Sequence, residues 1–168
     1  TPAIQKAIDA CHESGGGRVV IPPGDFVSGT IQLKSHVNLY LEPGARLLGS
    51  LDTADYRIGG RSHGLIYAYQ LKGITISGEG ELDGRGTRFH DPGRAHLGQD
   101  FNRLVTRQGM DYLPADPVPS DGPIEYEARP GMLVVILQCE QVAIKDVTFR
   151  DSPAWTFRIA DCDGVVVT

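Results

Sequence analysis

No run of apolar residues in this chain approaches the roughly 18 consecutive positions of a membrane-spanning helix, so no segment reads as a membrane span and no membrane partner is expected. A basic excess is missing too: 16 Lys and Arg stand against 21 Asp and Glu, for a formal net charge of −5. That balance argues against a general nucleic-acid binder. It does not exclude an anionic ligand, because a local cationic cluster can oppose the global sign. With three cysteines a fully paired disulfide set is impossible. No Cys/His spacing resembles a zinc site, and no metal or cofactor is expected. The chain lacks an initiator Met, a charged n-region and an apolar h-region, so its first residues do not read as a signal peptide. It begins directly in a helix cap, as if an upstream leader had been removed.

What the chain does hold is glycine, at 21 residues, and proline, at 11, which favours many short strands punctuated by turns. A short pattern of alternating branched apolar residues keeps returning between turn residues. It reads His36-Val37-Asn38-Leu39-Tyr40-Leu41, then Gly73-Ile74-Thr75-Ile76-Ser77-Gly78, then Gln141-Val142-Ala143-Ile144-Lys145-Asp146, and Gly164-Val165-Val166-Val167. Val142 and Val165 are 23 residues apart, the spacing of one coil of a parallel β-helix rather than of a hairpin sheet. Cys139 and Cys162 share that spacing and so fall at equivalent places in adjacent coils. They read either as a small buried stack or as a disulfide, and neighbouring parallel strands seldom present the Cβ geometry a disulfide needs.

Thr1 is a candidate N-cap and Pro2 occupies the first helical position, where its missing N–H costs nothing. Ile4, Ala7, Ile8 and Cys11 follow at helical spacing, so residues 2–13 form an amphipathic helix that Gly15-Gly16-Gly17 stops. Such a helix, within 1–14, suits a cap over the open end of a stacked-coil core. Strands are expected at Val19–Ile21, Thr30–Leu33, Val37–Leu41, Arg46–Leu48, Leu65–Tyr67, Ile74–Ile76 and Glu81–Leu82. More follow at Met132–Leu137, Val142–Ile144, Val147–Phe149 and Thr156–Ile159. The spacers are too short for crossover helices. Two stretches break the rhythm: a modest loop over Asp52–Gly64, and a long insertion over 85–131 with a Pro-rich run. The insertion reads equally as a solvated loop or as a wall at one end of a cleft.

These residues resemble the polygalacturonase family of glycoside hydrolases. The resemblance rests on Thr1-Pro2-Ala3-Ile4-Gln5-Lys6-Ala7-Ile8-Asp9-Ala10-Cys11 and on Gly15-Gly16-Gly17-Arg18-Val19-Val20-Ile21-Pro22-Pro23-Gly24. It continues through Leu33-Lys34-Ser35-His36-Val37, Ile76-Ser77-Gly78-Glu79-Gly80-Glu81-Leu82-Asp83-Gly84 and Arg129-Pro130 to Ser152-Pro153-Ala154-Trp155. It implies an all-β, right-handed parallel β-helix with a short N-terminal capping helix, and an enzyme that hydrolyses galacturonan or rhamnogalacturonan of pectin with inversion. It also implies secretion or a periplasmic place, and a monomer that meets pectic polysaccharide or oligogalacturonide. The family's Asn-Thr-Asp, Asp-Asp, Gly-His-Gly and Arg-Ile-Lys motifs are not in this sequence; Arg158-Ile159-Ala160 is nearest to the last and lacks its lysine. In family order those motifs come after the Ser-Pro-x-Trp coil. The resemblance thus implies an N-terminal portion, incomplete at its C-terminal side, with the catalytic coils expected beyond Thr168.

Inverting hydrolysis needs a protonated carboxyl and a carboxylate roughly 6.5–9.5 Å apart. Coils rising by about 4.8 Å supply that spacing from successive or next-nearest turns. Within this chain Glu140 and Asp163 share a column, as do Gln138 and Asp161, but all read as turn residues. Asp146 and Asp151 read as caps or turn bonds. No catalytic residue is expected in 1–168, and the stretch alone is expected to be inactive. Three residues are candidates for substrate contact. Trp155 offers an aromatic face for a sugar, Arg158 offers paired N–H donors for a uronate carboxylate, and Arg129 stands at the end of the insertion. Strict alternation puts Trp155, Phe157 and Ile159 on one face and Arg158 on the other, so core packing for Trp155 stays open. His63, His90 and His96 read as surface loop residues. Two rival functions remain: a lyase-type pectin-acting β-helix, and a non-catalytic carbohydrate-binding or tailspike-like β-helix.

Overall fold

The computed structural model describes residues 2–95, 124–126 and 129–168. The chain divides into two compact units, one formed by Thr1–Gly86 with Pro130–Thr168 and the other by Thr87–Arg129.

In the first unit, helix α1 (Pro2–Glu13) leads into a first coil of three strands, β1 (Gly17–Ile21), β2 (Gly24–Ser28) and β3 (Ile31–Gln32). The second coil runs through β4 (Val37–Leu41) and β5 (Ala45–Gly49), leaves for a short antiparallel pair, β6 (Arg57–Ile58) and β7 (Arg61–Ser62), and closes with β8 (Ile66–Tyr69). The third coil holds β9 (Lys72–Gly78) and β10 (Glu81–Asp83). The chain then enters the second unit, whose described strands β11 (His90–Ala95) and β12 (Ile124–Tyr126) pair antiparallel, and returns as β13 (Val134–Leu137). A fourth coil comprises β14 (Glu140–Lys145), β15 (Thr148–Arg150) and β16 (Phe157–Ala160), and β17 (Asp163–Val167) follows.

The strands stack into three parallel sheets: β1-β4-β9-β14-β17, β2-β5-β10-β15 and β3-β8-β13-β16, called here the first, second and third sheets. This is the all-β parallel β-helix, with the right-handed connection that strand twist imposes on parallel crossovers. Each sheet turns alternate residues inward, and the inward rows run in register from coil to coil. Val19, Leu39, Ile76, Ile144 and Val167 lie in register in the first sheet, and Phe26, Leu47, Leu82 and Phe149 in the second. The third contributes Ile31, Ile66, Val134 and Phe157. Val142 sits directly beside Val165, as their spacing requires.

The helix caps the core as its apolar stripe demands. Ile8 is fully buried, with Ile4 and Cys11 packed around it. Gln5 adds something the stripe does not encode. Its side-chain amide donates to the Gln32 carbonyl at 3.0 Å and accepts from the Gln32 N–H at 2.9 Å. One amide thereby makes both bonds that a further strand would offer the open edge of β3. The candidate N-cap Thr1 lies outside the described residues.

The expected strands are present with ends shifted by a few residues, and among the strands of the three stacked sheets one was missed. Gly24–Ser28 is a full strand although Pro22-Pro23-Gly24 reads as a spacer. Its inward row is thin, only the half-buried Phe26 and Ser28, and Val27 points outward at 56% exposed, so no apolar alternation marks it. The loop over Asp52–Gly64 proves to be a 3-10 turn over Thr53–Tyr56 followed by a hairpin around Gly59-Gly60, whose φ of 56° and 78° supply the left-handed pair a two-residue turn needs. Both excursions leave from the same corner, between the second and third sheets.

Cys139 and Cys162 are free, and they stack. The Leu71 N–H donates to the Cys139 sulfur at 3.4 Å, and the Cys139 N–H to the Cys162 sulfur at 3.4 Å. Each sulfur therefore serves as acceptor for the coil before it. Burial pushes the Cys139 thiol above its ordinary pKa.

Candidate substrate groove

The outer face of the third sheet carries the candidate site. In each strand the residues between the inward rows point out: Gln32, Tyr67, Val135 and Arg158 form one ladder, one residue per coil, and Tyr69, Leu137 and Ala160 form the next. A hollow of about 380 Å³ lies on this face, lined by Arg61, His63, Gly64, Tyr67, Met132, Val135, Leu137 and Arg158 among others. A second hollow of about 180 Å³ is lined by Gln32, Leu33, Lys34, Tyr67, Tyr69 and Leu71. Tyr67 belongs to both.

The hairpin is held against the coils by backbone and by one buried phenol. Asp52 caps the 3-10 turn by accepting from the Ala54 N–H at 2.9 Å. The Asp55 carbonyl accepts from the Thr30 N–H of the first coil at 3.1 Å. Tyr56 is 1% exposed, and its hydroxyl donates to the Ser50 carbonyl at 2.8 Å. Burial, then the neighbouring Asp55 charge, holds that phenol above the usual tyrosine range. The Tyr56 carbonyl in turn accepts from the His63 N–H at 2.8 Å. Gly64 then passes so close to the third coil that a Cβ there would lie 1.8 Å from the Met132 carbonyl oxygen. The bond from the Gly131 N–H to the His63 carbonyl, at 3.2 Å, joins the same two corners. Held this way, the His63 ring meets the Tyr67 ring at 4.2 Å between centroids, tilted by 55°.

The charged residues lining the two hollows have one sign. Arg61 and Arg158 border the larger hollow, beside the His63 ring, and Lys34 the smaller, and no carboxylate is among the described residues lining either. The second sheet differs. There Arg46 pairs with Asp25 at 3.2 Å and Glu81 at 3.5 Å, and Arg150 with Glu81 at 3.1 Å, so its outer arginines are neutralised by acids on the same face.

Of the residues singled out from sequence, Arg158 lines the larger hollow and points away from Phe157 and Ile159, which pack on the core. Trp155 precedes β16, is 61% exposed, and lines neither hollow. Its carbonyl accepts from the Leu133 N–H at 3.1 Å, and the indole is no part of the core. Arg129 belongs to the second unit and is half-buried. His63, expected as a plain surface residue, borders the groove instead, because Gly64 lets its corner press against the coil above. His90 is described only in its backbone, and His96 lies outside the described residues. Arg61 and Tyr67 were also missed. The available signal was local: Tyr67 alternates with the inward Ile66 and Ala68, and Arg61 directly follows the Gly59-Gly60 turn.

With this geometry in view, the chain is 30% identical to an exo-poly-α-D-galacturonosidase of Dickeya chrysanthemi over 198 aligned positions, which cover 99% of this chain and 32% of that protein. The chain is a relative of the polygalacturonases. Among solved structures, the family 28 exopolygalacturonase of Yersinia enterocolitica matches with a TM-score of 0.61 and 25% identity, over 99% of this chain and 35% of that one. A hyperthermoactive exopolygalacturonase of Thermotoga maritima shares the fold, with a TM-score of 0.69 and 21% identity over 99% of this chain and 41% of that one. No protein-family profile matches the chain. As a polygalacturonase relative it spans about a third of the length of the first curated proteins it matches, 32% and 30%.

Proposed function

We propose that this chain is the substrate-holding part of a pectin hydrolase that removes sugar units from galacturonan by inverting hydrolysis. The observation that carries the reading is the groove on the third sheet, cationic and aromatic at its border in a chain of net charge −5. A polyanion is drawn to such a local field against the global sign. The names of the relatives, exo-poly-α-D-galacturonosidase and exopolygalacturonase, favour galacturonan and action from a chain end.

Inversion demands two carboxyl groups roughly 6.5–9.5 Å apart. The described groove lining holds none. The reading therefore places the acid and base on coils outside residues 1–168 that continue the third sheet, where successive rungs at about 4.8 Å give that separation. Since the substrate is a cell-wall polymer, the parent protein is secreted or periplasmic, and it works as a monomer. Arg158 is the sugar contact this reading keeps from the sequence.

The test is product analysis of the full-length protein on polygalacturonate. Early release of mono- or digalacturonate is expected. A ladder of mid-sized products would overturn end action, and an unsaturated, ultraviolet-absorbing product would replace the hydrolase by a lyase. Residues 1–168 alone should give no turnover; measurable hydrolysis by that piece would refute the placement of the acids.

A further inference from the structure

Where β10 ends, the chain reads Gly84-Arg85-Gly86, and Arg85 stands in the left-handed region with a φ of 53°. Glycine takes that conformation without a Cβ penalty, and glycines flank the position on both sides. An arginine kept at such a place points to a role for its side chain that offsets the strain. Its backbone is fixed by the Asp83 carboxylate, which accepts from the Arg85 N–H at 2.8 Å. From there the guanidinium of this half-buried residue reaches back one coil and donates to the Gly49 carbonyl at 3.2 Å.

Gly49 and Ser50 form the ledge on which the Asp52–Gly64 excursion is seated. The Ser50 carbonyl accepts from the Tyr56 hydroxyl, and the Ser50 hydroxyl donates to the Asp55 carboxylate at 2.5 Å. A Cβ at Gly49 would lie 2.7 Å from the Tyr56 hydroxyl and 3.0 Å from the Gly84 carbonyl oxygen, so the phenol sits tightly between the second and third coils. After burial, the influences on the Tyr56 proton are the Asp55 charge and, in the opposite sense, the Arg85 charge, which places both groups about the phenol. The seat draws on three coils, since the Thr30 N–H of the first holds the Asp55 carbonyl. We infer that Arg85 is a positioning residue: from the third coil it clamps the Gly49-Ser50 ledge and so holds the hairpin of β6 and β7 in place beside the larger hollow. Arg85 lines neither hollow itself. It acts through Tyr56, whose carbonyl accepts from the His63 N–H at 2.8 Å and so passes the seat on to the residues at the hollow's border. That a looser hairpin weakens substrate binding rests on the galacturonan reading, whereas the ordering of the hairpin by Arg85 rests on the geometry alone.

Amide hydrogen exchange and steady-state kinetics of the full-length protein carrying Arg85→Gly test this. Exchange over residues 55–63 should quicken about tenfold, the scale of one lost charge-assisted hydrogen bond, while β13 keeps its wild-type rate. The urea midpoint should move little, because relief of the left-handed backbone opposes the losses. Arg85→Lys should recover part of the protection, since an ammonium can still donate to the Gly49 carbonyl. On polygalacturonate KM should rise about threefold or more with kcat nearly unchanged, the mark of lost binding rather than of lost chemistry. Exchange over 55–63 that stays at the wild-type rate, or that rises equally in β13, would overturn the positioning role. A loosened hairpin with an unchanged KM would overturn its bearing on substrate. If the hairpin loosens as expected but not even wild type hydrolyses galacturonan, the function fails and the ordering of the hairpin stands. If wild type hydrolyses galacturonan while the hairpin ignores Arg85, the function stands and the positioning role fails.

Discussion

Gly64→Ala is the substitution whose cost can be worked most directly from the structure. The added Cβ would lie 1.8 Å from the Met132 carbonyl oxygen and 2.9 Å from that of Leu133, and both are backbone atoms that no rotamer change can move. The second and third coils must part by roughly 1 Å at this corner, in an interior packed too tightly to absorb it. Two bonds stretch with them, from the Ile66 N–H to the Leu133 carbonyl at 3.0 Å and from the Gly131 N–H to the His63 carbonyl at 3.2 Å. Ile66 and Leu133 are buried, so water does not replace the first. Losing a buried backbone bond leaves groups that cost about 1–3 kcal/mol each, and the displaced packing adds to that. The expected loss is about 3–5 kcal/mol, a large share of the roughly 5–15 kcal/mol that keeps a domain folded. Urea unfolding of the full-length protein followed by circular dichroism reads it as a midpoint lower by about 1.5–2.5 M for a slope near 2 kcal/mol/M. Gly59→Asn is the control: its φ of 56° is one Asn adopts at the first position of such a turn and nothing lies within 4 Å, so it should cost under about 1 kcal/mol. A Gly64→Ala protein within 1 kcal/mol (about the error of such comparisons) of wild type would refute the close approach of these coils, and the position of His63 with it.

Two further outcomes follow from buried groups. Tyr56→Phe removes the bond to the Ser50 carbonyl and should cost about 1–2 kcal/mol in thermal or urea unfolding. Because burial holds the Tyr56 proton in the folded state while the unfolded chain releases it above about pH 10, wild-type stability should fall as pH rises through that value, and Tyr56→Phe should lack that part of the fall. An identical alkaline decline in both proteins would count against a buried phenol. Cys139→Ala should cost about 1–3 kcal/mol, since it strips the Leu71 N–H of its acceptor. In native protein Cys139 should react with alkylating reagents more slowly than the part-exposed Cys11, and equal rates would contradict its burial.

Coil architecture was legible where the chain makes a full turn without excursion. The spacing of Val142 to Val165 and of Cys139 to Cys162 maps onto register because a coil with tight corners has a nearly fixed length. The helix was legible from its stripe, but not the Gln5 amide that substitutes for a strand edge. β2 escaped because a strand with one large inward residue shows no period.

The groove escaped for a different reason. Arg61, His63, Tyr67, Val135 and Arg158 are scattered over nearly a hundred positions, and no local pattern links them. The sequence by itself determined the period, and with it which residues face the core, because inward rows must be apolar for a coil to stack at all. Only the tertiary structure decided which outward residues share a surface, because that depends on the stacking of the coils and on a glycine letting the Gly59-Gly60 hairpin close against the next coil.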